Sequence, residues 1–104
     1  MKVFEWDLKK NLRNQKKHRV SFEQAEKVFD DPDRVIVKDL DHSTKNEVRY
    51  FCIGIRENQI CTVRFTYRGT IMRIIGAGYW RKERKIYEKM FMVFIYESCG
   101  FLSV

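Results

Sequence analysis

A histidine near the start of the chain lies within a run of basic side chains. His18 is flanked by Lys16, Lys17 and Arg19. The unperturbed pKa of histidine is close to neutrality, so it can accept or donate a proton at physiological pH. Neighbouring cations favour its neutral form and attract polyanions. This stretch predicts acid–base chemistry beside a phosphate, although a cationic helix end, where positive charge is favourable, explains the same residues.

A pair of arginines in the second half of the chain also suggests a site for an anion. If Arg68 and Gly69 form a two-residue hairpin turn, Arg64 and Arg73 face each other on one side of the hairpin. Directly opposed like charges destabilise a sheet. A phosphate between the two guanidinium groups would remove the conflict. The alternatives are that both side chains extend into water or that the register differs by one residue.

The elements that position these side chains follow from hydrophobic periodicity, caps and turn signals. Asp7 caps a helix from residue 8 to about 18, whose narrow apolar stripe holds Leu8 and Leu12. Ser21 and Gln24 form a capping box for a second helix that runs to about residue 29. We predict strands at residues 35–37, 48–55, 59–67 and 70–76, a short strand within 2–6, a turn at 56–58, a polar loop at 39–47, and a third helix that starts near 79–81.

The apolar C-terminal segment is treated separately from the rest of the chain. Residues 1–89 are predicted to form one domain, and residues 90–104 an apolar tail. Periodicity leaves open whether Phe91–Tyr96 extends the helix or forms a strand. Left exposed, this segment would promote aggregation, so we expect it to pack on the domain or on a second copy of the chain.

Length and composition exclude several classes of protein. The chain has 104 residues, which suggests one domain, and a net charge of +7 that is concentrated outside residues 20–47. A basic face suits nucleic acid, although a solvated surface of mixed charge explains it as well. Three cysteines without CxxC spacing argue against a disulfide framework or a structural zinc site. No apolar run approaches a membrane span and no secretory signal is evident, so we expect a cytoplasmic protein.

Several short motifs recur in the order typical of one known family. They are Glu5-Trp6-Asp7, Asn14, Lys17-His18, Val20-Ser21-Phe22, Phe29-Asp30-Asp31-Pro32, Asp41-His42-Ser43, Glu47 with Arg49, Ile53-Gly54, Thr66, Arg68-Gly69 and Arg73-Ile74-Ile75. In combination they resemble the BrnT family of toxins from type II toxin–antitoxin systems, over about residues 4–88.

The resemblance implies an α+β, RelE-like fold in which two N-terminal helices pack on a mainly antiparallel sheet of about four strands, followed by a C-terminal helix. It also implies a metal-independent ribonuclease that inhibits translation, needs no cofactor and is neutralised by a BrnA-like antitoxin. DNA contact would come only through the antitoxin complex. One departure stands out, because the family's Ser-Ala-Arg is replaced by Gly76-Ala77-Gly78. Arg81 is a candidate substitute for the missing arginine.

Metal-free RNA cleavage needs a proton acceptor for the 2′-hydroxyl, a proton donor for the leaving oxygen, and positive charge at the phosphate. The candidate catalytic residues are His18, Lys17 and Arg73, and the candidate RNA-binding residues are Arg64, Arg68, Tyr79, Trp80 and Arg81. Aromatic side chains such as Trp80 can stack on unpaired bases, or can anchor the last helix to the core. Structural roles are favoured for His42, Tyr87 and Glu83, the last as a surface charge partner on its helix.

Two other functions remain open at this level. One is a non-catalytic nucleic-acid-binding protein, in effect a degenerate toxin. The other is an interaction module whose basic face binds an acidic partner, with homodimerisation as a further possibility. RNA substrate, antitoxin and a second copy of the chain are therefore the expected partners.

Overall fold

The computed structural model describes residues 2–99, with side chains up to residue 90. The described chain forms three α-helices, one 3₁₀ helix and five strands, which confirms the predicted α+β class. In chain order they are β1 (Phe4–Glu5), α1 (Leu8–His18), α2 (Phe22–Ala25), a 3₁₀ helix (Glu26–Asp30), β2 (Val35–Lys38), β3 (Arg49–Arg56), β4 (Gln59–Arg68), β5 (Ile71–Gly78) and α3 (Arg81–Cys99).

The strands form one mixed sheet in the order β1-β5-β4-β3-β2. β2, β3, β4 and β5 pair antiparallel, whereas β1 lies parallel to β5 at the edge. The sheet therefore has five strands rather than about four. The fifth strand is β1, within the short strand predicted at residues 2–6. It pairs with the first half of β5 and not with β2, the next strand along the chain. The likeness to RelE stays a prediction.

Local signals start the two N-terminal helices where the sequence predicts. The Asp7 carboxylate accepts a hydrogen bond from the backbone N–H of Lys10 at 3.0 Å. The Ser21 hydroxyl accepts from the N–H of Gln24, and the Gln24 side chain accepts from the N–H of Ser21. Between the helices, Arg19 takes a left-handed conformation with φ of 59°. The second helix is shorter than predicted, because it continues as the 3₁₀ helix after one turn.

The hydrophobic core lies between one face of the sheet and the α2–3₁₀ segment. It contains Val20, Phe22, Ala25, Val28, Phe29, Cys52, Cys61, Val63, Phe65, Ile74 and Ala77. Cys52 and Cys61 are free, and burial raises the pKa of Cys52 to about 12. A thiol with so high a pKa is protonated at neutral pH and is a poor nucleophile.

Helix α1 has an unexpected orientation. The predicted apolar stripe faces solvent, with Leu8 74% and Leu12 60% exposed, whereas Asn11 and Asn14 are buried. The asparagines are inside because their amides bond backbone groups, among them the N–H of Phe22, which donates to Asn11. Buried backbone groups need hydrogen-bond partners, and the two asparagine side chains supply them. The asparagine face of α1 therefore lies inward.

The hairpin register differs from the predicted one. Arg68 pairs with Ile71, so the turn residues are Gly69 and Thr70 rather than Arg68 and Gly69. Gly69 has φ of +64°, which suits the first central position of a type II′ turn, where glycine is preferred. The predicted opposition of Arg64 and Arg73 is therefore wrong.

A β-bulge adds a second shift to this hairpin. Phe65 pairs with Ile74, but Arg64 pairs with Gly76, so one residue of β5, Ile75, is extra. Arg73 pairs with Thr66 instead. Arg64 and Arg73 lie on the same face of the sheet at different positions along the hairpin.

The C-terminal segment continues the last helix. The backbone of α3 is helical from Arg81 to Cys99, which answers the question of helix or strand for Phe91–Tyr96 in favour of helix. The predicted packing of the apolar tail stays a prediction, because its side chains beyond Met90 and all of residues 100–104 lie outside the described residues. Within the described part of the chain, no helix is long and apolar enough to cross a membrane.

Candidate functional site

Arg64 on β4 is a partly buried arginine that lies between two aromatic rings. Its guanidinium carbon lies 4.7 Å from the ring centroid of Trp80 and 5.8 Å from that of Phe51. Its Nε is buried and has no hydrogen-bond partner among the described residues, and no described carboxylate forms a salt bridge with it. A partly buried guanidinium without a partner is a natural site for an anion such as phosphate.

His18 ends α1 beside the same aromatic ring. Its imidazole makes an edge-on contact with Trp80 at a centroid distance of 5.2 Å. Burial lowers the pKa of His18, and the positive charges of Lys17 and Arg64 lower it further. The neutral imidazole is therefore favoured at pH 7, as a proton acceptor requires.

The Trp80 ring links these groups and rests on Gly78. A Cβ atom added at Gly78 would lie 2.7 Å from a ring carbon of Trp80, closer than real Cβ contacts allow. We call His18, Arg64, Gly78 and Trp80 the Trp80 cluster. It draws together the end of α1, the middle of β4 and the segment that follows β5.

Asn14 fixes α1 against β5, one helical turn before the cluster. Its side-chain amide donates to the carbonyl oxygens of Val20 at 2.8 Å and Ala77 at 2.9 Å, and its amide oxygen accepts from the N–H of Ala77 at 3.2 Å. The side chain thus pairs with the free edge of β5 as a peptide group would. This role is invisible from the sequence, where Asn14 stands out only as part of a family motif.

Arg73, a predicted catalytic residue, is paired within the protein. Its Nη1 lies 3.1 Å from the Glu5 carboxylate, and the parallel β1–β5 register sets these two residues side by side. The anion beside Arg73 is therefore the Glu5 carboxylate of β1, where the sequence predicts a phosphate.

The other predicted RNA-binding residues are spread along the sheet. Arg68 is exposed at the end of β4, next to the hairpin turn. The Tyr79 hydroxyl accepts a hydrogen bond from Arg56 at 2.9 Å, and the ring packs against the core. Arg81 lines a groove with Ile60, which is four residues, or about 13 Å, from Arg64 along β4. The structure brings together His18, Arg64 and Trp80, with Lys17 next to His18 in the chain. It engages Arg73 with Glu5 and Tyr79 with Arg56 instead, and it leaves Arg68 and Arg81 outside these contacts.

Structural roles are predicted for three further residues, His42, Tyr87 and Glu83. His42 places its Nδ1 2.8 Å from the carboxylate of Asp39, and Tyr87, which is 5% exposed, donates its hydroxyl proton to Asp31. Glu83 is also 5% exposed, so its predicted position on the helix surface is wrong.

Among the described residues, no group of three His, Cys, Asp or Glu side chains is placed to hold a metal ion. Residues 6–83 match the family model described as "Ribonuclease toxin, BrnT, of type II toxin-antitoxin system". No curated protein matches the chain at a significant level.

Proposed function

The chain belongs to the BrnT family of ribonuclease toxins from type II toxin–antitoxin systems, and from this premise we propose that it is a metal-independent endoribonuclease. In this proposal it has a RelE-like fold, acts in the cytoplasm, and inhibits translation by cleaving RNA. The observation that carries the proposal is the unpartnered guanidinium of Arg64 beside a histidine whose pKa is lowered.

The proposed reaction uses the 2′-hydroxyl of the RNA as the nucleophile on its own 3′-phosphate. Neutral His18 accepts the 2′ proton, the new O–P bond forms, and the bond to the 5′ oxygen breaks. The products are a 2′,3′-cyclic phosphate and a 5′-hydroxyl whose proton comes from water or from Lys17. Arg64 bonds the non-bridging phosphate oxygens and stabilises the charge that develops on them, with Lys17 as a second cation.

This assignment moves phosphate binding from Arg73 to Arg64. The Glu5 carboxylate already neutralises Arg73, and the guanidinium of Arg64 has no such partner among the described residues. Arg68 and Arg73 lie on the same face of the sheet as Arg64, where they would contact the RNA backbone beyond the reacting phosphate.

RNA cleavage by the purified chain, with and without EDTA, tests the proposal. We expect cleavage in EDTA and products with 2′,3′-cyclic phosphate ends. Arg64→Gln is expected to reduce the rate about 100-fold or more, as for the loss of one donor to a developing oxyanion, and His18→Gln about 100-fold or more, as for the loss of a general base. Arg34→Gln, an exposed arginine before β2, is the matched control. Intact RNA at high protein concentration, or equal rates for the two arginine variants, would refute the proposal.

A non-catalytic RNA-binding protein is the second candidate function. It is favoured by one observation, because the Trp80 ring fills the space over Gly78, the position where the family pattern has an arginine. RNA binding without cleavage products in the same assay would support this alternative.

We also propose a BrnA-like antitoxin as the partner, with DNA bound only by the toxin–antitoxin complex. Growth arrest on induced expression, relieved by co-expression of a small protein encoded beside this chain, is the expected result. Continued growth of cells that contain the folded protein would contradict it. Size-exclusion chromatography with light scattering tests the proposed homodimer.

A further inference from the structure

The Trp80 ring is confined by its neighbours. It contacts Gly78 closely, lies under the guanidinium of Arg64 at 4.7 Å, and meets the edge of His18 at 5.2 Å. Half-buried and in contact with Arg64, the ring differs from an open platform for a nucleotide base. Its contacts are those of a residue that holds another residue in place.

We propose that Trp80 is a positioning residue, whose indole is seated on Gly78 and holds the guanidinium of Arg64 beside His18 for an RNA phosphate. This inference rests on the proposed function and deepens it, because it assigns the arrangement of the phosphate site to a residue that does not contact the phosphate. It also explains why residue 78 has no side chain.

The physical basis is the freedom that an arginine side chain otherwise has. Four rotatable bonds let an exposed guanidinium sample many positions, and ordering it costs free energy on each binding event. Stacking on an indole is attractive for a guanidinium, and the Nε of Arg64 is buried in this arrangement. An arginine already ordered binds phosphate more tightly, since less entropy remains to be lost.

The glycine at residue 78 is explained by space and not by backbone conformation. Among the described glycines only Gly69 has a positive φ, so residue 78 has a backbone that any residue can adopt. The constraint is the ring of Trp80, 2.7 Å from the position that a Cβ atom would take. At Gly76, two residues earlier on the same strand, an added Cβ would meet nothing closer than 3.9 Å. Gly76→Ala is therefore the matched control for Gly78→Ala.

A double-mutant cycle on RNA affinity tests whether Trp80 acts through Arg64. The probe is a short single-stranded RNA with 2′-O-methyl groups, which cannot be cleaved because its 2′ oxygens carry no proton. We expect Trp80→Ala to weaken binding about fivefold, as for the loss of a cation–π contact, and Arg64→Gln about tenfold or more, as for the loss of a charge-assisted hydrogen bond. The double variant should bind no more than about twofold more weakly than Arg64→Gln alone.

Multiplied losses in the double variant would overturn the positioning role, because they would mean that Trp80 contacts RNA independently of Arg64. Failure of the wild-type chain to bind the probe would overturn the proposed function and the role of Trp80 with it. Trp80→Phe, which keeps an aromatic face, should recover most of the affinity, and its failure to do so would count against stacking.

The fluorescence of Trp80 provides a readout that does not depend on RNA. In a Trp6→Phe background, Trp80 is the only tryptophan, and a protonated imidazole in contact with an indole quenches its emission. We expect emission to fall as pH is lowered through the pKa of His18, with no such change in His18→Gln or Gly78→Ala. Gly76→Ala should behave as wild type. Quenching that persists in Gly78→Ala would contradict the seating of the ring on Gly78.

Discussion

Asn14 is predicted to be the polar residue whose loss most weakens the protein. Its side chain makes three hydrogen bonds to backbone groups, two to Ala77 and one to Val20, and it is 8% exposed. Asn14→Ala removes all three bonds. The carbonyl oxygens of Val20 and Ala77 and the N–H of Ala77 then lose these partners.

The expected cost follows from those bonds. Each hydrogen bond contributes a net stability of about 0.5–1.5 kcal/mol, so the three together predict a loss of about 1.5–4.5 kcal/mol for Asn14→Ala. Asn14→Asp is expected to be at least as costly at pH 7, because a carboxylate oxygen would replace the donor that faces two carbonyls. The folded state then favours the protonated carboxyl, so the deficit of Asn14→Asp relative to wild type shrinks as pH falls.

Urea unfolding monitored by circular dichroism measures these differences. Lys16→Ala, an exposed side chain on the same helix, is the control and should change stability by less than about 0.5 kcal/mol. Hydrogen exchange at the amide of Ala77 should accelerate in Asn14→Ala, because that amide loses its acceptor. A loss below about 0.5 kcal/mol with unchanged exchange would refute the claim that Asn14 joins α1 to the sheet.

Three further predictions concern stability. Replacing Leu8 and Leu12 by Gln together should change the free energy of unfolding by less than about 0.5 kcal/mol, since both are exposed; a loss above about 2 kcal/mol in urea would mean that they are packed. A double-mutant cycle of Glu5→Gln and Arg73→Gln should give a coupling of about 0.5 kcal/mol that falls with salt, and a salt-independent value would contradict a solvent-accessible ion pair. Burial raises the pKa of Asp31, but hydrogen bonds from backbone N–H groups and a tyrosine outweigh it and hold the pKa below 3.8. The stability that Asp31 contributes is therefore present above pH 3.8 and lost as pH falls through the folded-state pKa, so Asp31→Asn should flatten the acid limb of a plot of urea midpoint against pH.

What the sequence predicts well is local in the chain. The helix starts at Asp7 and Ser21 depend on side chains that bond backbone groups three residues away, so the signal and its effect lie within one turn. The turn at Glu57 and Asn58 joins the strands predicted on either side of it, and both residues have positive φ, as a type I′ turn requires.

What it misses depends on contacts between distant segments. Glu5 and Arg73 are separated by 68 positions, and their pairing follows from a parallel register that no local pattern encodes. The inward position of Asn14 likewise depends on Ala77, which lies 63 positions away. Hydrophobic periodicity predicts that Leu8 and Leu12 face inward, because it considers only the apolar side chains. It takes no account of the hydrogen bonds that an asparagine amide makes to backbone groups of distant segments.

The β-bulge determines which residue lies opposite Arg64, the arginine that we propose binds the phosphate. If the pairing of Phe65 with Ile74 continued without interruption, Ile75 would lie opposite Arg64. A branched side chain there would occupy the face on which Arg64 meets the Trp80 ring. The extra residue places Gly76 opposite Arg64 instead, and an added Cβ at Gly76 would still be 3.9 Å from the Arg64 side chain. The bulge thus makes room for the guanidinium of Arg64, in keeping with the frequent occurrence of bulges beside functional sites. Arg73, three residues before Gly76 on β5, is instead paired with the Glu5 carboxylate.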